Sequence, residues 1–150
     1  MIIDIPENSD FSIYNIPFGI FSTKQRTPRA GVAIGNHILD LVALSELGVF
    51  DFDTSVFNEN TLNDFISLGK TITNKVRTSI QHWISDESSP ISNRSNLFVL
   101  QSESQMHMPI NIGDYTDFYS SIEHATNIGT MFRDKDNPLL PNWKHIPVGY

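Results

Sequence analysis

The sequence predicts an α+β fold, mainly β with α, from two strand signals and one helix signal. Phe18–Ser22 and Arg29–Ile34 are short runs of apolar and β-branched residues bounded by prolines and by a Gly-Asn pair. That pair, Gly35-Asn36, can take positive φ and predicts a tight hairpin with the run that follows. Strands this closely spaced suit a small barrel or a curled sheet. Apolar residues then recur every three or four positions from Leu62 to Ile84, which indicates an amphipathic helix.

The predicted helix has a start signal and one weak point. Thr61 with Asp64 forms a capping-box pattern at its beginning, and Gly69 weakens its middle. We expect its apolar face to belong to the core. That face contains Leu62, Phe65, Ile66, Ile72, Val76, Ile80 and Trp83.

Composition restricts the classes of partner. The chain has 150 residues, is 39% hydrophobic and carries a net charge of -7 without a basic stripe, so we expect no nucleic-acid partner. Apolar runs are short and the first residues are acidic, so we expect no membrane partner and a cytoplasmic location. There is no cysteine, so any metal must bind to oxygen or imidazole.

A change in sequence character predicts two domains. Ser85–Asn96 is rich in serine and asparagine and is typical of a loop or linker, and Leu97–Leu100 can form one more strand. We place a boundary near Pro109, which gives an N-terminal domain of residues 1–109 and the start of a second domain in 110–150. Asp51 and Asp53 are interpreted as a solvated turn rather than a metal site.

Functional side chains concentrate between Gly113 and Arg133. Ser120 lies three residues before Glu123, a capping-box spacing, so a helix is predicted to begin there with His124 in its first turns. The exposed N–H groups at the start of a helix carry partial positive charge and disfavour an imidazolium. A neutral imidazole can act as a base.

Asp117 and His124 could act together, the carboxylate binding a hard cation and the imidazole removing a proton from water. The alternative is a capping aspartate and a hydrogen-bonded structural histidine. One carboxylate cannot complete a calcium or magnesium site, so more ligands must come from elsewhere. Spacing alone leaves both interpretations open.

The other polar residues are equally undecided by local chemistry. Tyr115, Tyr119 and Tyr150 could contact a substrate or serve as amphipathic packing residues. Arg133 could bind a carboxylate, or it could pair with the nearby aspartates 134 and 136.

The segments Ile112–Ser121 and His124–Asn127 closely resemble the fumarylacetoacetase family. The resemblance covers nearly all of the chain and weakens between Ser85 and Gln105. It also includes Ser9–Phe11, Asn15–Thr23, Gly31–Gly35, Leu139–Trp143 and Pro147–Tyr150.

The resemblance implies a set of roles. Asp117 would bind Ca²⁺ and/or Mg²⁺, His124 would be the base that activates water, and Tyr119, Arg133 and Tyr150 would contact a bound diketo acid. The implied fold is a small SH3-like barrel followed by a β-roll catalytic domain that forms a homodimer. The remaining ligands would lie beyond Tyr150, so we expect the chain alone to be inactive.

The implied reaction is hydrolysis of the carbon-carbon bond of 4-fumarylacetoacetate to fumarate and acetoacetate, the last step of tyrosine and phenylalanine catabolism. One alternative is a related acylpyruvate hydrolase, decarboxylase or isomerase of the same superfamily, although such relatives mostly lack a long N-terminal domain. The other alternative is a non-catalytic N-terminal interaction module.

Overall fold

The chain, seen in a computed structural model that describes residues 3–149, forms two compact units that divide between Asn111 and Ile112. This division lies close to the boundary predicted at Pro109. The interpretation of the two units as an N-terminal domain and the start of a catalytic domain stays a prediction.

The first unit is built on a five-stranded antiparallel sheet with strand order β4-β3-β2-β1-β5. The first two strands have the predicted bounds, and a strand within Leu97–Leu100 is confirmed, whereas the last strand has no predicted counterpart. The strands are β1 Phe18–Ser22, β2 Arg29–Ile34, β3 His37–Asp40, β4 Phe98–Leu100 and β5 Gln105–His107.

The sheet must curl, because its two edge strands are close neighbours in sequence. A flat sheet of this order would place β4 and β5 four strand spacings apart, about 19 Å. The connection between them is only Gln101–Ser104, and Gln101–Glu103 of it is a 3-10 helix, which rises about 2 Å per residue. A short compact connection cannot cross a flat sheet, so the predicted curled sheet is confirmed. The combination of this sheet with helices confirms the α+β class.

The hairpin between β2 and β3 is confirmed at the predicted turn. Ile34 pairs with His37 across Gly35-Asn36. Gly35 has φ 53°, and among the described residues only Asn93 combines a side chain with positive φ, so Asn36 does not share this conformation. Positive φ at the first central residue alone is the pattern of a type II′ turn, which favours glycine there.

Residues 3–149 contain four α-helices, three in the first unit and one in the second. None of them, within residues 3–149, is long and apolar enough to cross a membrane. They are α1 Leu41–Ser45, α2 Asn63–Ser67, α3 Gly69–Ser85 and α4 Ile122–Phe132.

The single helix predicted from Leu62 to Ile84 is wrong, because the structure divides it into α2 and α3. Gly69 takes φ 82°, in the left-handed region that interrupts a right-handed helix. The capping box at Thr61 is also wrong, since Leu62 is the N-cap and makes no side-chain cap hydrogen bond. The Leu62 N–H instead donates to the Pro109 carbonyl at 2.7 Å.

The apolar face of these helices is confirmed at most positions. Phe65, Val76 and Ile80 are buried, whereas Ile66 is 55% exposed, contrary to prediction. Ile66 follows Phe65 directly, so it lies about 100° further around a helix of 3.6 residues per turn. In a helix as short as α2, only one of the two faces the core.

A group of phenylalanine rings forms the centre of the first unit. Phe57 is fully buried, and its ring centroid lies 5.2 Å from that of Phe65, 5.6 Å from Phe50 and 5.8 Å from Phe52. Tilted and edge-on pairs at such distances add to the stabilisation from area burial.

The same unit contains a buried carboxylate. Asp40 is fully buried, and its Oδ2 accepts a 2.8 Å hydrogen bond from Arg26 Nη1. Its Oδ1 accepts the backbone N–H groups of Val42 and Ala43, so the same side chain is the N-cap of α1. Arg26 also donates to the Asn96 carbonyl at 2.9 Å, so one charged pair connects the end of β3, the start of α1 and the segment before β4.

The serine-rich segment predicted as a loop or linker is a packed loop of the first unit. Ser89 is buried, and its hydroxyl donates to the Trp83 carbonyl at 2.7 Å. Ile91 is fully buried in the core. A segment that supplies core contacts is not an interdomain linker.

Candidate active site

The predicted site residues belong to the second unit, and backbone pairing connects the two ends of this unit. Phe118 forms an antiparallel bridge with Gly149, and Tyr119 N–H donates to the Val148 carbonyl at 2.8 Å. A Cβ added to Gly149 would lie 2.7 Å from the Phe118 ring, so only glycine fits there without a shift. The segment before α4 is thus held by backbone contacts with Val148 and Gly149, which come after α4 in the chain.

The helix begins one residue later than predicted. Ser121, with φ -85° and ψ 120°, is the N-cap, and its hydroxyl accepts from His124 N–H at 3.3 Å and donates to Glu123 Oε2 at 3.1 Å. Ser120 lies before the cap, and its N–H donates to the Phe118 carbonyl at 2.9 Å. The placement of His124 in the first turn is confirmed.

His124 and Tyr119 are in direct contact. Their rings are stacked, with centroids 5.0 Å apart and planes inclined by 12°. The segment before the helix therefore carries an aromatic ring onto the imidazole at the start of the helix.

Asp117 lies immediately before the bridged residue. It is exposed, and its Oδ1 accepts from Phe118 N–H at 2.7 Å. Within residues 3–149 there is no group of three or more His, Asp or Glu side chains that could bind a metal ion. The exposed carboxylate fits a role as one oxygen ligand, but a calcium or magnesium site needs about six or more, so the described residues do not complete one.

Arg133 ends α4 and contacts the loop that follows. Its Nη1 donates to the Pro138 carbonyl at 3.2 Å, and in the described part of the chain it forms no ion pair with Asp134 or Asp136. Asp134 instead accepts from the Asp136 N–H at 3.0 Å. The structure brings Tyr119 and His124 together but gives no such contact between Arg133 and either of them. Tyr150 lies outside the described residues.

Two further residues fix this unit, and the sequence reasoning missed both. A Cβ added to Gly129 would overlap the Pro138 carbonyl oxygen, so glycine allows α4 to approach the loop that Arg133 contacts. Glycine inside a helix costs about 1 kcal/mol relative to alanine, which is the signal that could have identified it. Trp143 is nearly buried and belongs to the small core of the unit.

In the described part of the first unit, the acidic pair Asp51 and Asp53 and two cavities show no comparable chemistry. Asp51 pairs with Lys75 at 2.6 Å, and Asp53 caps the 3-10 helix Thr54–Phe57, in agreement with the predicted solvated turn. The Lys75 hydrogen bond lowers the pKa of Asp51. Cavities of about 740 Å³ and 960 Å³ are present in the first unit, and neither is lined by a predicted site residue.

The first unit is a small α+β domain built on a curled antiparallel sheet. The sequence signature described as "Fumarylacetoacetase N-terminal" matches residues 14–109. The chain therefore belongs to the fumarylacetoacetase family, and the predicted resemblance is confirmed.

Individual relatives extend the match over the second unit. The chain is 47% identical to proteins named fumarylacetoacetase from Rattus norvegicus, Homo sapiens and Dictyostelium discoideum. The alignments cover 99% of this chain, but only 37%, 37% and 36% of those proteins. The chain thus spans just over a third of the length of the curated relatives it matches.

Proposed function

We propose that this chain is the N-terminal part of a metal-dependent hydrolase that cleaves 4-fumarylacetoacetate into fumarate and acetoacetate. The observation that carries the proposal is the contact of His124 with Tyr119, which lies two residues after Asp117 in the sequence, in a chain 47% identical to proteins named fumarylacetoacetase. The complete protein acts in tyrosine and phenylalanine catabolism as a cytoplasmic homodimer.

His124 is the base in this proposal. The competing interpretation is a structural histidine held by hydrogen bonds, yet in residues 112–149 no hydrogen bond engages its imidazole nitrogens. Those nitrogens are available to a water molecule on one side and an orienting partner on the other. Base catalysis of this kind contributes about 10²- to 10⁴-fold to a reaction rate.

Asp117 supplies one oxygen ligand to the cation, and further ligands come from outside the described residues. The cation, either Ca²⁺ or Mg²⁺, supplies polarisation of the 1,3-dicarbonyl group and charge stabilisation when bound. A single carboxylate is far from a full coordination shell, so the chain of 150 residues is inactive by itself.

Arg133, Tyr119 and Tyr150 hold the diketo acid. The guanidinium of Arg133 is well suited to a carboxylate, because it offers two parallel N–H donors. No carboxylate competes for it in the described part of the second unit, which supports this role. The tyrosine hydroxyls add hydrogen bonds that orient the substrate.

The test is His124→Ala in the full-length protein with 4-fumarylacetoacetate at controlled metal concentration. We expect kcat to fall about 10²- to 10⁴-fold while KM and metal affinity change little, because a base acts in the transition state. Asp117→Ala should lower metal affinity as well. His145→Ala is the matched control, since His145 is an exposed histidine of the same unit.

Near-normal turnover by His124→Ala would return the histidine to a structural role. Preferential cleavage of an acylpyruvate would instead identify one of the related enzymes. If the full-length protein cleaved no oxo acid, a non-catalytic module would be the better conclusion.

A further inference from the structure

Backbone hydrogen bonds hold the chain at both residues of the Tyr119–His124 contact. Tyr119 is fixed through its N–H to the Val148 carbonyl and through the neighbouring Phe118–Gly149 bridge. His124 is fixed through its N–H to the Ser121 hydroxyl. The two backbones are therefore held independently, and the rings meet with centroids 5.0 Å apart and planes 12° apart.

We infer that Tyr119 is a positioning residue whose ring sets the orientation of the His124 imidazole, a role separate from any contact of its hydroxyl with substrate. This inference rests on the proposed function. Rotation about χ2 of histidine is broad, so a contact is needed to fix the plane of the ring. A near-parallel stack is lost when the imidazole rotates out of that plane, so the stack fixes the ring plane, whereas a half-turn flip of the ring leaves the stack unchanged.

A stack is also compatible with catalysis by the same imidazole. The lone pair and the N–H of an imidazole lie in the ring plane, whereas the stack uses only its face. A hydrogen bond would occupy one nitrogen, but a stacked ring leaves both nitrogens available for proton transfer. Aromatic pairs contribute about 0.5–1.5 kcal/mol beyond area burial, which corresponds to about a two- to twelve-fold preference.

Two substitutions separate the ring from the hydroxyl. Tyr119→Phe keeps the stack and removes the hydroxyl, so in the full-length protein it should raise KM with little loss of kcat. Tyr119→Leu removes the stack as well, and we expect kcat to fall about a further tenfold. Tyr14→Leu changes a tyrosine of the first unit that is 84% exposed and is the matched control.

Nuclear magnetic resonance tests the stack without using activity. With histidines labelled at ¹³Cε1, the signal of the His124 Hε1 proton is observed. The aromatic ring at position 119 should shift this signal upfield in the parent and in Tyr119→Phe, and the shift should be absent in Tyr119→Leu. The chain has five histidines, and His124→Gln identifies the signal.

Each outcome decides something. An unshifted His124 signal in the parent overturns the inference even if Tyr119→Leu fails to fold, and equal kcat in the Phe and Leu variants overturns it as well. If the parent hydrolyses nothing, the proposed function fails, while the ring-proton shifts still decide whether Tyr119 orients His124.

Discussion

The two units of this chain differ in how they are held together. The first has a continuous hydrophobic core around fully buried phenylalanine and isoleucine side chains. In the described residues 112–149, the buried hydrophobic side chains are Ala125 and Trp143, against nine large hydrophobic side chains that are exposed. The exposed ones are Ile112, Tyr115, Phe118, Ile122, Met131, Phe132, Leu140, Ile146 and Val148.

Within residues 3–149, the predicted site residues therefore lie in the unit with fewer buried hydrophobic side chains. Within residues 112–149, backbone pairing and close approaches at Gly129 and Gly149 add to a small core formed by Ala125 and Trp143. Segments with few buried apolar contacts open at low free-energy cost, so local contacts matter more for the geometry of such a segment.

The largest stability effect should come from the centre of the first unit. Phe57→Ala removes a fully buried ring, and we expect the free energy of unfolding to fall by about 3–5 kcal/mol. The matched change in the second unit is Phe132→Ala, at a side chain that is 82% exposed, and it should stay within about 0.5 kcal/mol. Urea denaturation measures both, and equal losses would mean that the two units are not held differently.

A set of three substitutions compares a buried with an exposed carboxylate. Asp40→Ala removes both the partner of Arg26 and the cap of α1, so it should cost about 3–5 kcal/mol. Asp40→Asn keeps an oxygen for the cap and should cost less. Asp117→Asn should change stability by less than about 0.5 kcal/mol, because Asp117 is exposed.

Thermal denaturation of these three variants against the parent gives the ranking. A large loss of stability in Asp117→Asn would show that this carboxylate supports the fold. It would then weaken the proposal that Asp117 binds a cation.

The smallest effect should come from an exposed carboxylate of the first unit. The Lys75 hydrogen bond is the main reason that the pKa of Asp51 lies below its usual value of 3.8. Because the folded-state pKa is lowered, the stabilisation is present above pH 3.8 and is lost as the pH falls through the folded-state pKa. The stability difference between the parent and Asp51→Asn should therefore be small at neutral pH and shrink on acidification, and growth of that difference in acid would contradict the assignment.

Local signals predicted the first two strands and the hairpin well, because turn residues and alternation act over a few positions. Gly35 marks its turn whatever the rest of the chain does. The capping error at Ser120 has the same local origin, since two adjacent serines offer the same hydroxyl, and it is the Ser121 hydroxyl that accepts the His124 N–H.

Long-range features could not be predicted in this way. The charged pair of Arg26 and Asp40 and the pairing of β5 with β1 depend on contacts between distant residues, and no local pattern marks them. The break at Gly69 was visible only as a weak point, because a glycine in a helix can be tolerated or can take positive φ. The contact of Tyr119 with His124 depends on the bridge to Gly149, which a spacing argument does not contain.

The short connection between the edge strands also bears on the folding pathway. Strand β4 pairs with β3 and β5 pairs with β1, so each ladder closes a long loop that includes the helices α1, α2 and α3. Closing a loop costs entropy that grows with the logarithm of its length. Once β4 has docked, Gln101–Ser104 keeps β5 close to β1, so most of this entropy is lost once rather than twice. The two ladders should therefore form as one cooperative step late in folding, after the local hairpin of β2 and β3.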